Sequence, residues 1–196
     1  DLLHWDLLQK FDLPGDDECP DLYPLTADDG RTLWVYSGAH DMYFVGDFDE
    51  NGLYQPIQSV GQLSYNSQSY AAQTYYYEPG KPVIRFAWNR SDIPGAPFNG
   101  SMCTPTEMTL KKHGDRYYLS ALPIKSTENL VVKSDKLDDF TLTHCTHELG
   151  SKTCRISFTV KEGDLTCSLY GLEMKLDKNG LTCGESILPR LKNEPM

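Results

Sequence analysis

Four carboxylates crowd into the stretch Asp16, Asp17, Glu18 and Asp21, directly after the turn pair Pro14-Gly15. Most acidic knots of this kind are solvated loops. Here Glu18 runs straight into Cys19-Pro20 and then into Asp21-Leu22-Tyr23-Pro24-Leu25, which reads as the start of an apolar strand. A carboxyl held at the edge of a buried strand among like charges is expected to favour its protonated form, because desolvation and like charge both disfavour the anion. A general acid needs that form, so Glu18 is the candidate. Trp34, Trp88 and a dozen tyrosines add flat faces that can stack on sugar rings, although most aromatics pack in cores.

Two other groupings look like metal sites and fail on chemistry. Asp47-Phe48-Asp49-Glu50-Asn51-Gly52 matches the opening of an EF-hand loop, which needs a bidentate carboxylate at its twelfth position. That position is Gln58. The segment is expected to be a hairpin turn steadied by Asp and Asn side chains. His144, Cys145, His147 and Cys154 lack the spacing of a zinc site, and strand alternation would put His144 and Cys145 on opposite faces. No metal or cofactor is expected. The six cysteines form no C-x-x-C pair and are expected to be buried thiols acting as small apolar side chains. Pairing among Cys145, Cys154, Cys167 and Cys183 stays open.

The formal net charge of −10 argues against the basic face that neutralises phosphates, so no nucleic-acid partner is expected. An acidic surface suits neutral partners such as sugars. There is no apolar run of about 18 residues, so no membrane span is expected.

The elements that must position these residues are nearly all β. Segments rich in Tyr, Val, Ile, Phe, Thr and Trp are separated by glycine turns at Asp29-Gly30, Asn51-Gly52, Pro79-Gly80, His113-Gly114, Glu162-Gly163 and Asn179-Gly180. Strands are expected at Leu33–Ser37, Met42–Phe48, Ala71–Tyr77, Val83–Trp88, Glu107–Lys111 and Tyr117–Ala121. Beyond these, the strand-like segments are Val131-Val132, Thr141–His144, Cys154–Val160, Leu165–Tyr170 and Leu172–Leu176. Short strands at this spacing suggest a propeller, barrel or sandwich. The only helix-like stretch is Asp1–Gln9. Composition shifts near residue 125, from aromatic and proline-rich to more charged, placing a domain boundary between Pro123 and Lys133.

The order of short motifs resembles glycoside hydrolase family 32, the invertase, levanase and β-fructosidase family. Glu18-Cys19-Pro20-Asp21 matches its E-C-P-D motif, Ser69-Tyr70-Ala71-Ala72-Gln73-Thr74 its Y-A-A-Q-T segment, and Val83–Arg90, with Ala87-Trp88, the strand ending in its G-W or A-W pair. Pro94-Gly95-Ala96-Pro97-Phe98-Asn99 and Pro105-Thr106-Glu107 look like the levanase-like branch. The resemblance implies a five-bladed β-propeller followed by a β-sandwich, with residues 1–125 as later blades and 126–196 as the opening of the sandwich. It implies retaining hydrolysis of fructosyl bonds in a fructose-containing oligo- or polysaccharide, a secreted or periplasmic location, and Glu18 as the acid/base. It also implies that Tyr70 and Trp88 wall the fructose pocket and that Asp21 orients the loop or a neighbouring arginine.

Departures from the pattern matter equally. The family's N-D-P-N-G segment, which carries the nucleophilic aspartate, has no counterpart here, nor has its R-D-P segment. The resemblance therefore implies an internal fragment, inactive by itself, that retains the acid/base without the nucleophile. The alternative is a non-catalytic carbohydrate-binding or scaffold propeller. An incomplete propeller exposes blade edges, which invite edge-strand association with another chain.

Overall fold

Leu33 and Val35 are fully enclosed while Trp34 between them is half-buried, the two-residue period of a strand covered on one face. The same alternation recurs along the chain. The computed structural model describes residues 2–75, 78–136, 146–148 and 154–189, in two units, Asp1–Leu130 and Val131–Met196.

The first unit carries two antiparallel sheets. One is a meander of β1 (Asp21–Thr26), β2 (Thr32–Ser37), β3 (Met42–Phe48) and β4 (Tyr54–Pro56), with β5 (Gly61–Gln62) pairing with the start of β3. The second contains β6 (Ser69–Thr74), β7 (Ile84–Asn89), β8 (Ser101–Met102), β9 (Thr106–His113) and β10 (Arg116–Pro123). In it β6, β7, β9 and β10 lie side by side, and β8 pairs with the end of β7. A 3₁₀ helix, Lys125–Leu130, follows β10.

One core joins the sheets. Tyr23, Leu25, Leu33, Val35, Tyr43 and Val45 of the first sheet pack with Met108, Leu110, Tyr117 and Leu119 of the second, and with Val83, which leads into β7. Burying such side chains is the main favourable term in folding. The β1–β2 turn docks on the second sheet: Ala27 bridges to Leu110, Lys112 N–H donates to Asp28 Oδ1 at 2.9 Å, and Tyr117 hydroxyl donates to Asp29 Oδ2 at 2.9 Å.

Two glutamines cover backbone that the edge strands would otherwise present. Gln9 Oε1 accepts from Tyr54 N–H of β4 at 2.8 Å, and its Nε2 donates to Tyr54 O at 2.9 Å. Gln58 treats Tyr117 of β10 the same way, at 2.8 and 2.7 Å. Each side-chain amide stands in for one residue of a neighbouring strand, a device that blunts edge pairing.

In the second unit β11 (Leu165–Leu169), β12 (Leu172–Asp177), β13 (Gly180–Cys183) and β14 (Ser186–Pro189) form consecutive hairpins in a single sheet. Tyr170 at φ 50° and Gly171 at φ 86° make the first turn, the positive-φ pair that a two-residue hairpin uses.

The structure departs from expectation in several places. Residues 2–9 are not helical, and Leu2, Leu3, Trp5, Leu7 and Leu8 are exposed; an isolated segment this short cannot offset helix nucleation without a packing face. Val131-Val132 and Cys154–Val160 form no strand, since alternation alone makes no ladder without a partner. Thr141–His144 and the end of the Ala71–Tyr77 segment, Tyr76-Tyr77, lie outside the described residues. The cysteines are not buried: Cys19, Cys103, Cys167 and Cys183 are half-buried free thiols and Cys154 is an exposed one. Cys145 lies outside the described residues. The single-sheet layer holding Cys167 and Cys183 has too little cover to bury them.

Candidate active site

The acidic knot begins with a tight turn in which Asp16 N–H donates to Leu13 O at 3.0 Å, with Gly15 at φ 84°. That turn delivers Asp16, not Glu18, to the interior. The Asp16 side chain is 0% exposed, whereas Glu18 is exposed. The burial expected at Glu18 therefore falls two residues earlier. Asp16 accepts His40 N–H on Oδ2 at 2.6 Å and faces His40 Nδ1 with Oδ1 at 3.0 Å. It lies against Gly38, where an added Cβ would sit 2.5 Å from the Asp16 Cγ.

The Glu18–Asp21 segment is held along its length. Ala39 N–H donates to Glu18 O at 2.9 Å. Gln73 Nε2 donates to Cys19 O at 2.8 Å, and Thr74 N–H donates to Asp21 Oδ2 at 2.5 Å. Cys19 takes φ 49°, a left-handed conformation that a non-glycine residue adopts at a cost and that such surrounding bonds sustain. Asp21 thus fastens the loop to β6, with the Thr74 amide rather than an arginine as its partner.

A bulge in β6 explains how one strand supplies two of these contacts. Tyr70 lies opposite Trp88 and Gln73 opposite Phe86, so β6 has one extra residue between them, with Ala71 at φ 50°. In a regular strand Tyr70 and Gln73 would face opposite sides. The extra residue brings them to the same side. Gln73 then reaches the Cys19 carbonyl while the Tyr70 hydroxyl donates to Glu18 Oε2.

Tyr70 is the hub of the site. Arg90 Cζ stands 4.2 Å from the centre of its ring, a cation–π distance. The His40 ring meets it edge-on at 4.8 Å, and the Trp88 ring lies 6.3 Å away at 60°. The hydrogen bond to Glu18 pushes the Tyr70 hydroxyl up from its ordinary value, so the phenol keeps its proton and remains a donor. Beside this cluster is a cleft of about 540 Å³ lined by Phe11, Asp12, Asp16, Asp17, Glu18 and Tyr36, among others.

Trp88 is 47% exposed, and its indole rests on Gly100. A Cβ at Gly100 would lie 2.5 Å from Trp88 Nε1, and the residue holds φ 72°. Gly100→Ala is expected to displace the indole and to cost about 1–3 kcal/mol through the left-handed backbone alone. Thermal denaturation together with the tryptophan emission maximum checks both effects.

Below the cluster lies an ion pair that sequence reasoning missed. Asp41 is 3% exposed and Arg85 7%. Arg85 Nη2 donates to Asp41 at 2.5 and 2.6 Å and to Ser69 Oγ at 3.0 Å, and its Nε donates to Asp41 Oδ1 at 3.1 Å. The pair ties the β2–β3 turn to β7 and to the residue preceding Tyr70. Its signal was present in the sequence, since Arg85 shares the inward register of Val83 and Ala87. His40 and Arg90 carried no such signal, because their meeting at Tyr70 depends on turn and bulge geometry.

The EF-hand-like grouping is a turn. Asp49 Oδ1 accepts from Asn51 N–H at 2.9 Å and Leu53 N–H at 3.0 Å, which is hairpin-turn chemistry. The Leu53 hydrogen bond, aided by the Gln55 amide, holds the Asp49 carboxyl below its usual range. His147 and Cys154 are exposed, and His144 and Cys145 lie outside the described residues.

The glycosyl hydrolases family 32 N-terminal domain matches residues 1–121. Among characterised proteins, a fructan beta-fructosidase of Streptococcus mutans is 29% identical over 139 residues, covering 58% of this chain and 10% of its own length. A levanbiose-producing levanase of Bacillus subtilis is 27% identical over 161 residues, covering 71% of this chain and 30% of its own. This chain therefore spans a third or less of either relative. Among solved structures, an exo-inulinase from Aspergillus awamori is similar with a TM-score of 0.52 and 25% identity, over 63% of this chain and 29% of that one.

Proposed function

The chain belongs to glycosyl hydrolase family 32, and from that premise we propose that it is part of a β-fructosidase that hydrolyses the fructosyl bonds of sucrose, inulin or levan. The observation that carries this reading is the Glu18 carboxyl. It is exposed at the head of a strand, hydrogen-bonded by Tyr70, and has Trp88 one ring further on.

In this reading Glu18 protonates the oxygen of the departing sugar. A second carboxylate attacks the anomeric carbon, and Glu18, now ionised, takes a proton from the water that releases fructose. The Tyr70 hydroxyl, kept protonated, donates to whichever Glu18 oxygen carries charge. The Trp88 face offers an apolar surface to a sugar ring. The nucleophile belongs to chain outside residues 1–196, so these residues alone are inactive. Residues 1–125 supply later blades of the propeller and 126–196 the opening strands of a sandwich. Inulin and levan are polymers that do not cross membranes, which favours a secreted or periplasmic protein.

The full-length protein, assayed on sucrose, inulin and levan, should release fructose with retained anomeric configuration, read by NMR before mutarotation. Inverted fructose would overturn the two-carboxylate displacement. Binding of fructan without turnover would favour a carbohydrate-binding propeller instead.

A further inference from the structure

Both oxygens of the buried Asp16 carboxylate are spent on one residue, the backbone amide and the Nδ1 of His40, at 2.6 and 3.0 Å. Holding a carboxylate out of water is costly unless its partners are well matched. An ionised carboxylate only accepts hydrogen bonds, so Nδ1 must carry the proton facing it. The neutral imidazole is thereby fixed in one tautomer, with Nε2 as the bare acceptor.

This oriented ring is 48% exposed. It stands edge-on to Tyr70 with centroids 4.8 Å apart, and the Tyr70 hydroxyl bonds Glu18. His40 is thus one aromatic ring away from the group proposed to protonate the leaving oxygen. Glu18 and Asp17 nearby only accept hydrogen bonds when ionised, and Tyr70 and Arg90 are donors. The neutral imidazole acceptor adds a further way to meet sugar hydroxyls, which donate as well as accept.

The geometry points to His40 as a specificity-determining residue, which Asp16 holds in place to accept a hydrogen bond from a hydroxyl of the leaving-group sugar. This rests on the fructosidase reading above. Asp16 is the positioning residue, acting only through His40. Its identity matters for a physical reason. In Asp16→Asn the amide oxygen can still take the His40 backbone N–H, while the amide nitrogen donates to Nδ1. That reverses the tautomer and turns Nε2 from acceptor into donor, with little change in shape.

The test uses the full-length protein and two substrates. One is sucrose, whose leaving group carries hydroxyls; the other is 4-nitrophenyl β-fructofuranoside, whose leaving group carries none. The ratio of kcat/KM for sucrose to that for the aryl fructoside should fall about tenfold in His40→Phe, the worth of one good hydrogen bond. Phenylalanine retains a ring against Tyr70. Asp16→Asn should lower the same ratio, and ¹⁵N NMR of the histidine rings should show the proton of His40 moving from Nδ1 to Nε2. A ratio that stays within about a factor of two of the parent in both variants overturns the assignment, because a purely structural clamp would slow both substrates together. An unaltered tautomer in folded Asp16→Asn overturns the role given to Asp16. A parent protein that turns over neither substrate overturns the fructosidase reading, and this assignment with it.

Discussion

Glu18→Gln in the full-length protein is expected to slow hydrolysis of sucrose by about 10²–10⁴-fold, the range that a positioned general acid and base contributes. Glutamine preserves the size of the side chain, and its carbonyl oxygen can still accept the Tyr70 hydroxyl that meets Glu18 Oε2. The bonds holding the segment also survive, since Ala39 and Gln73 grip backbone carbonyls at Glu18 and Cys19 and Thr74 grips Asp21. What disappears, in the proposed reaction, is the proton delivered to the departing oxygen and recovered from water. The deficit should therefore depend on the leaving group. With 4-nitrophenyl β-fructofuranoside the phenolate leaves without help, so the first step keeps much of its rate. The second step, which needs a base, does not. Rapid-mixing kinetics should then show a burst of nitrophenol followed by slow turnover. A variant within about threefold of the parent on sucrose would remove Glu18 from the acid/base role.

The catalytic candidate was legible because it is local in sequence. Glu18, Cys19, Pro20 and Asp21 are contiguous, and Tyr70 and Trp88 each sit in a recognisable strand segment. The strands were legible for a similar reason: the period-two alternation that buries Leu33 with Val35 and Tyr43 with Val45 is written into adjacent residues. What escaped depends on contacts between distant segments. The prediction that burial would act on Glu18 failed because the turn through Gly15 sends Asp16 inward instead, and nothing in the acidic run distinguishes one carboxylate from another. The hydroxyl bond from Tyr70 to Glu18 was also hidden, because it depends on one extra residue in β6. The glutamines that cover Tyr54 and Tyr117 act 45 and 59 residues away, a distance at which a polar side chain in a loop carries no pattern.

Arg85→Met is expected to have the largest effect on stability. Arg85 and Asp41 lie inside the first unit, where three donor contacts from the guanidinium converge on the carboxylate. Methionine fills much of the space but leaves Asp41 buried beside Ser69 without its cation. Breaking one side of a buried pair costs about 3–5 kcal/mol, because the surviving charge is left uncompensated. For a unit of this size that corresponds to a fall in Tm on the order of 10 °C, measurable by calorimetry or by denaturant titration. The double variant Asp41→Asn with Arg85→Met removes the stranded charge and should recover part of the loss. That recovery distinguishes electrostatic cost from a packing defect, which would add instead. A catalytic consequence follows from the same geometry. Arg85 also holds Ser69 Oγ at 3.0 Å, next to Tyr70, and Asp41 follows His40 directly. Releasing the pair loosens both flanks of Tyr70 at once, so turnover should fall in the single variant even at temperatures where it is still folded. A loss below about 1 kcal/mol would mean that water reaches Asp41 and substitutes for the guanidinium, the behaviour of an exposed pair.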